Sequence, residues 1–134
     1  MALPTRETLP IRAEEDVVRV RQVVRLAAQR LKFSLVEQTK IVTAASELAR
    51  NTLIHGGGGA LHLDVTANGA RSGIQMTFED QGPGIPDITL ALKEGYSTGT
   101  GLGLGLPGSK RLMSDFAIES EVGKGTRVVV ARWK

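Results

Sequence analysis

Two glycine clusters in the second half of the chain limit what it can fold into. The first reads Glu79-Asp80-Gln81-Gly82-Pro83-Gly84-Ile85-Pro86, and the second reads Gly99-Thr100-Gly101-Leu102-Gly103-Leu104-Gly105-Leu106-Pro107. Ten of the sixteen glycines fall between Gly82 and Gly125. Glycine weakens helix and strand alike, so such density belongs where backbone approaches something closely or takes positive φ. Phosphate is the usual something, because successive backbone N–H groups and a helix N-terminus make an anion site. A Gly-x-Gly-x-Gly run alone is a weak signal. It gains weight from the acid-turn-glycine segment before it, and from Glu47 and Asn51, an acid and an amide four residues apart.

The elements around these clusters follow from periodicity. Thr8 to Arg12 suits an edge strand interrupted by Pro10. Val17, Val20, Val24, Ala27 and Leu31 step by three and four residues, which predicts a helix from Glu14 with acids at its start and Arg30 and Lys32 at its end. Arg21 and Arg25 fall on its outer face, as a solvated charged face would place them. Ser34-Leu35-Val36-Glu37 fits a capping box for a second helix, which runs to about Ile54 and stops at Gly56–Gly59. Strands are expected over Ala60–Thr66 and Ile74–Glu79, joined by a turn at Asn68-Gly69 or by a longer loop at Gly73. Then come a short helix from Ile88 to Glu94, a long mobile loop from Gly95 to Gly105, and a helix entered at Pro107 and ending near Met113. Strands over Ala117–Glu121 and Thr126–Trp133, turning at Gly123-Lys124-Gly125, close the chain. The sum is an α+β fold: a two-layer α/β sandwich with helices on one face of a mixed, mostly antiparallel sheet.

At 134 residues the chain reads as one domain over 1–134. Its 41% hydrophobic and 23% charged residues are ordinary for a globular chain. No apolar run is long enough to span a membrane, and the charged start is no signal peptide, so a cytoplasmic setting without a membrane partner is expected. Zero cysteines exclude thiol chemistry and cysteine zinc sites. A net charge of +3 with one Trp, one Tyr and three Phe argues against a nucleic-acid partner.

Glu47, Asn51 and His55 stand at i, i+4 and i+8 of the second helix and so project along one face. They form either a solvent-facing polar stripe or the lining of a nucleotide cleft. In the second case Asn51 offers a neutral oxygen suited to Mg²⁺ that shares its ligands with phosphates. Glu47, one turn away, would then act as a base toward a hydroxyl or water. His55 suits a helix end better than a catalytic role. Asp80 ends an apolar strand just before Gly82 and Gly84. It either bonds its own turn, or accepts from an exocyclic amine while backbone lies against a flat ring.

Glu47-Leu48-Ala49-Arg50-Asn51, Asp80-Gln81-Gly82-Pro83-Gly84 and Gly101-Leu102-Gly103-Leu104-Gly105 resemble, in order and spacing, the N, G1 and G2 boxes of the GHKL ATPases. That superfamily, with its Bergerat ATP-binding fold, includes type II topoisomerases, sensor histidine kinases and anti-sigma-factor serine kinases. The resemblance implies ATP and Mg²⁺, with Asn51 holding the metal and Asp80 reading the adenine amine. It implies that Gly82, Gly84 and Ile85 back the ring, and that Thr126, in Gly123-Lys124-Gly125-Thr126, assists there. Thr100, Gly101, Leu102, Gly103, Leu104 and Gly105 would wrap the phosphates inside a lid, with Lys110 nearby.

Within the superfamily, neither histidine has the His-Glu/Asp-x-x-Pro setting of a phosphoacceptor: His55 precedes glycines and His62 lies in a strand. A carboxylate at Glu47 suits activation of a hydroxyl. Gly95-Tyr96-Ser97-Thr98, Gly105-Leu106-Pro107-Gly108 and Lys110-Arg111-Leu112-Met113 resemble the RsbT-type switch kinases of the stressosome. Such kinases phosphorylate Ser or Thr of a STAS-domain protein, leave it, and activate a PP2C-type phosphatase that starts sigma-factor release. One departure stands out. The Arg that sporulation-type anti-sigma kinases place ahead of the second glycine cluster is replaced by Ser97-Thr98-Gly99-Thr100. Charge on the γ-phosphate must then be met by Mg²⁺, Lys110, Arg111 or the protein substrate. Two rival expectations remain: an anti-sigma factor that sequesters a sigma factor, and an interaction module in which ATP only sets the lid.

Overall fold

The computed structural model describes residues 5–67, 72–92 and 106–134. The expected loop from Gly95 to Gly105, the end of the helix expected to reach Glu94, and the Asn68-Gly69 turn lie outside the described residues. Five strands, β1 (Thr5–Ile11), β2 (Gly59–Ala67), β3 (Ser72–Asp80), β4 (Asp115–Glu121) and β5 (Gly125–Trp133), form one sheet in the order β1-β2-β3-β5-β4. Helices α1 (Glu14–Arg30) and α2 (Leu35–Ile54) pack on each other and on the sheet, and α4 (Leu106–Leu112) leans on α2. A single turn of helix, α3 (Ile88–Ala91), follows the first glycine cluster.

All four strand pairings are antiparallel, so the described sheet lacks the parallel component that a mixed sheet would have. The reason lies in the crossover between β1 and β2. One helix would carry the chain to the far end of the sheet and make the next strand parallel. Two helices bring it back, and Ile11 at the end of β1 sits opposite Gly59 at the start of β2. Pro10 keeps its place in β1 because β1 is an edge strand.

Local signals hold the helix ends. Asp16 Oδ2 accepts from the backbone N–H groups of Arg12 at 2.8 Å and Ala13 at 3.1 Å, closing the start of α1. At the start of α2, the Glu37 N–H donates to Ser34 Oγ at 3.1 Å, and Glu37 Oε1 accepts from the Ser34 hydroxyl at 3.1 Å. Arg132 on β5 ties the layers at the other end of the fold. Its Nη1 donates to the Leu112 carbonyl at the end of α4 at 2.9 Å, and its Nη2 lies 3.8 Å from Glu37 Oε2.

The core is the apolar face of the sheet closed by two helical stripes. Leu61, Leu63, Ile74, Met76, Phe78, Val128 and Val130 meet Val17, Val20, Val24, Ile41, Ala45 and Leu48, all buried. Phe78 pairs with Val128 and Met76 with Val130 across β3 and β5, so the ladder itself sets side chains in register beneath α2.

Candidate functional site

An i+4 step on an α-helix overshoots a full turn by about 40°. Glu47, Asn51 and His55 therefore wind around α2 rather than running straight along it. Glu47 is exposed, Asn51 is half-buried at the rim, and His55 has turned far enough to line a cavity beneath the end of the helix. That cavity has a volume of about 120 Å³ and opens to solvent at its mouth. Leu48, Phe78, Ile85, Leu106 and Val128 give it apolar walls; Asn51, Asp80 and Thr126 supply polar groups. Apolar walls and one carboxylate suit a planar base that carries an amine.

Asp80 is held by backbone. Its Oδ1 accepts from the Gly82 N–H at 2.9 Å and from the Thr126 N–H at 3.2 Å. The turn-bonding reading of Asp80 is met by Oδ1, which leaves the lone pairs of Oδ2 for a ligand. The glycines let the segments close around it. A Cβ on Gly56 would overlap Asp80 Cγ and lie 2.6 Å from Oδ2, and one on Gly82 would lie 2.7 Å from the Gly56 carbonyl oxygen. Gly125 has φ of 106°, and a Cβ there would collide with the Asp80 carbonyl. Gly84 likewise passes hard against the backbone of Glu121 and Val122.

Of the residues singled out from sequence, Asn51, Asp80, Gly84, Ile85 and Thr126 line this cavity together. Gly82 is not on its wall; it serves the crossing with Gly56. Glu47 and Lys110 are exposed and outside the lining. Thr100, Gly101, Leu102, Gly103, Leu104 and Gly105 lie outside the described residues. Sequence reasoning missed Gly56, read only as part of a helix stop, and Ser120, whose hydroxyl accepts from the Ile85 N–H at 2.7 Å. Nothing in a lone Ser on an alternating strand marks it. Gly56 was findable, as the first of four glycines directly after a polar stripe.

Residues 36–134 match the family described as "Histidine kinase-, DNA gyrase B-, and HSP90-like ATPase". The chain belongs to this ATPase family. Within the family it is 45% identical to "Serine/threonine-protein kinase RsbT" of Bacillus subtilis (strain 168), over 92% of each chain. It is 33% identical to "Anti-sigma F factor" of Geobacillus stearothermophilus, over 72% of this chain and 69% of that one. The solved structure of "the RsbU and RsbW domains of Rv1364c from Mycobacterium tuberculosis" superposes with a TM-score of 0.64 at 19% identity, covering 98% of this chain and 32% of that one. At that identity it supports the fold alone.

ATP is the nucleotide of this ATPase family, and the cavity fits its base. Among the described residues no three His, Cys, Asp or Glu side chains group to hold a metal ion, and no helix is long and apolar enough to cross a membrane. A single amide ligand at Asn51 still suits Mg²⁺, which keeps several waters and takes phosphate oxygens. Two substitutions probe the base end. Asp80→Asn retains one oxygen for the Gly82 and Thr126 N–H groups but loses the carboxylate, and ATP affinity is expected to fall by about 1–3 kcal/mol. Equal affinity by calorimetry would remove Asp80 from the base. Gly56→Ala pushes the same carboxylate aside by overpacking, so a loss of about 1–3 kcal/mol is expected there too. Parent-like affinity in that variant would show that the crossing has slack.

Proposed function

We propose that this chain, as a single domain over residues 1–134, is a cytoplasmic serine/threonine-protein kinase of the switch type. It transfers the γ-phosphoryl group of ATP to a Ser or Thr of a STAS-domain protein, leaves that partner, and then engages a PP2C-type phosphatase. The observation that carries the reading is the 45% identity to a serine/threonine-protein kinase over 92% of both chains.

The residues divide the work along α2. Asp80 and Thr126 select the base, while Leu48, Phe78, Ile85, Leu106 and Val128 exclude water from its faces. Asn51 would hold Mg²⁺, which would supply neutralisation of the phosphate charge. Gly82 keeps Asp80 in place, and Lys110 offers a cation for the phosphates. Glu47, exposed one turn beyond Asn51, can be reached by a hydroxyl presented on another protein, whose proton it accepts. Labelled ATP incubated with the chain and a STAS-domain protein is expected to label the STAS protein at Ser or Thr. Nucleotide binding without any labelled protein would instead support an interaction module.

The similarity to an anti-sigma F factor favours a second reading, sequestration of a sigma factor. Stable capture of a sigma factor on mixing, without need of a STAS partner, would put that reading first.

A further inference from the structure

The Ser120 hydroxyl on β4 touches two residues of the cavity wall, Ile85 and Thr126, and the backbone of Gly125 beside them. It accepts from the Ile85 N–H at 2.7 Å and lies 3.2 Å from the Gly125 carbonyl oxygen. It also lies 2.8 Å from Thr126 Oγ1, where either oxygen can be the donor. Ile85 and Thr126 line the cavity, and Ser120 does not.

A hydroxyl carries one proton and two lone pairs. The Ile85 N–H can only donate, so it occupies one lone pair of Ser120 whatever else happens. The Ser120 proton is then left with two acceptors, the Gly125 carbonyl and Thr126 Oγ1. If it goes to Gly125, Thr126 gives its own proton to Ser120 and shows the cavity lone pairs only. If it goes to Thr126, the Thr126 proton is released toward the cavity. Asp80 next to it is an acceptor in either case. A 6-aminopurine presents a donor, its amine, beside an acceptor, the adjacent ring nitrogen; a 6-oxopurine reverses both. Acceptor at Asp80 and donor at Thr126 therefore matches the aminopurine, and that match is favoured when Ser120 donates to Thr126, because the Thr126 proton is then not taken up by Ser120.

We propose that Ser120 is a positioning residue for purine selection: by donating to Thr126 Oγ1 it makes that hydroxyl a donor toward the ring nitrogen beside the amine. The inference rests on the cavity being the base site for ATP. A serine that merely braced the turn at Ile85 would affect every nucleotide alike, and this difference makes the test.

The full chain is titrated calorimetrically with ATP and with 1-deaza-ATP, in which that ring nitrogen is replaced by CH. The parent is expected to prefer ATP by about five- to tenfold, the worth of one hydrogen bond. Ser120→Ala leaves the Ile85 N–H without its acceptor and weakens both nucleotides, but the preference for ATP should shrink to within about twofold. Ser120→Thr, which keeps the hydroxyl, should restore the parent ratio. Should the alanine variant not fold, Ser120→Cys keeps similar bulk with a weaker donor, and it should narrow the ratio in the same direction. An unchanged ratio in the folded Ala or Cys variant overturns the proposal and leaves Ser120 as a brace. A parent ratio near one overturns it through Thr126. A parent that binds neither nucleotide overturns the reading of the cavity instead.

Discussion

Glu47→Ala is expected to keep ATP binding and partner docking while the rate of phosphoryl transfer falls by at least about 10²-fold, since a positioned base contributes about 10²–10⁴. A neutral hydroxyl is a poor nucleophile, and its proton must leave as the new P–O bond forms. Glu47 is exposed and lies off the base cavity. Its removal should therefore leave the walls that grip the base as they are. It stands on the same helix as Asn51, one turn nearer solvent, where a protein hydroxyl can arrive in line. The measurement is a single-turnover rate with nucleotide and STAS partner saturating. A variant within a few-fold of the parent would make Glu47 an ordinary polar residue on a solvated face, and the interaction module would become the better account.

Asn51→Ala should abolish Mg²⁺-dependent transfer, a loss of about 10²-fold or more given the charge that the transferring group carries. Because Asn51 is half-buried at the cavity rim, the loss has a second readout besides transfer. The gain in ATP affinity on adding Mg²⁺, large in the parent, should largely vanish in the variant, whereas affinity for metal-free ATP should change little. Full recovery of transfer in excess Mg²⁺ would argue that Asn51 does not ligate the metal directly.

Much of the scaffold was legible because its signals are local. The Ser34–Glu37 box and the acids at the start of α1 mark ends that the structure closes with side-chain hydrogen bonds. The three-and-four spacing of Val17, Val20 and Val24 became a buried stripe. Strand ends were less legible. The strand expected over Thr8–Arg12 is already paired at Thr5, opposite Val65 on β2, a partner far away in sequence that no local pattern reveals. Local pattern marked both helices, but not that they return the chain beside β1. At the site, Asp80 and the glycines announced a close approach, but not whose. Gly56 against Asp80, and Ser120 against Thr126, join segments far apart in sequence, so their roles exist only once the sheet order is set.

α2 also fixes how long the machinery can be. The progression from exposed Glu47 through Asn51 to His55 depends on counting residues along a hydrogen-bonded rod. One residue inserted or deleted between Glu47 and His55 would swing one end of the stripe by about 100° relative to the other. Either the carboxylate would turn toward buried Leu48 and Ala49, or the cavity end would turn out to solvent. No slack lies beyond, because Gly56 is wedged against Asp80 and Gly59 enters the sheet opposite that same residue. The spacing between proton acceptor and base pocket is thus inelastic. Divergence in such a chain can exchange side chains along α2, but it cannot retune the reach of the site by changing the length of this helix.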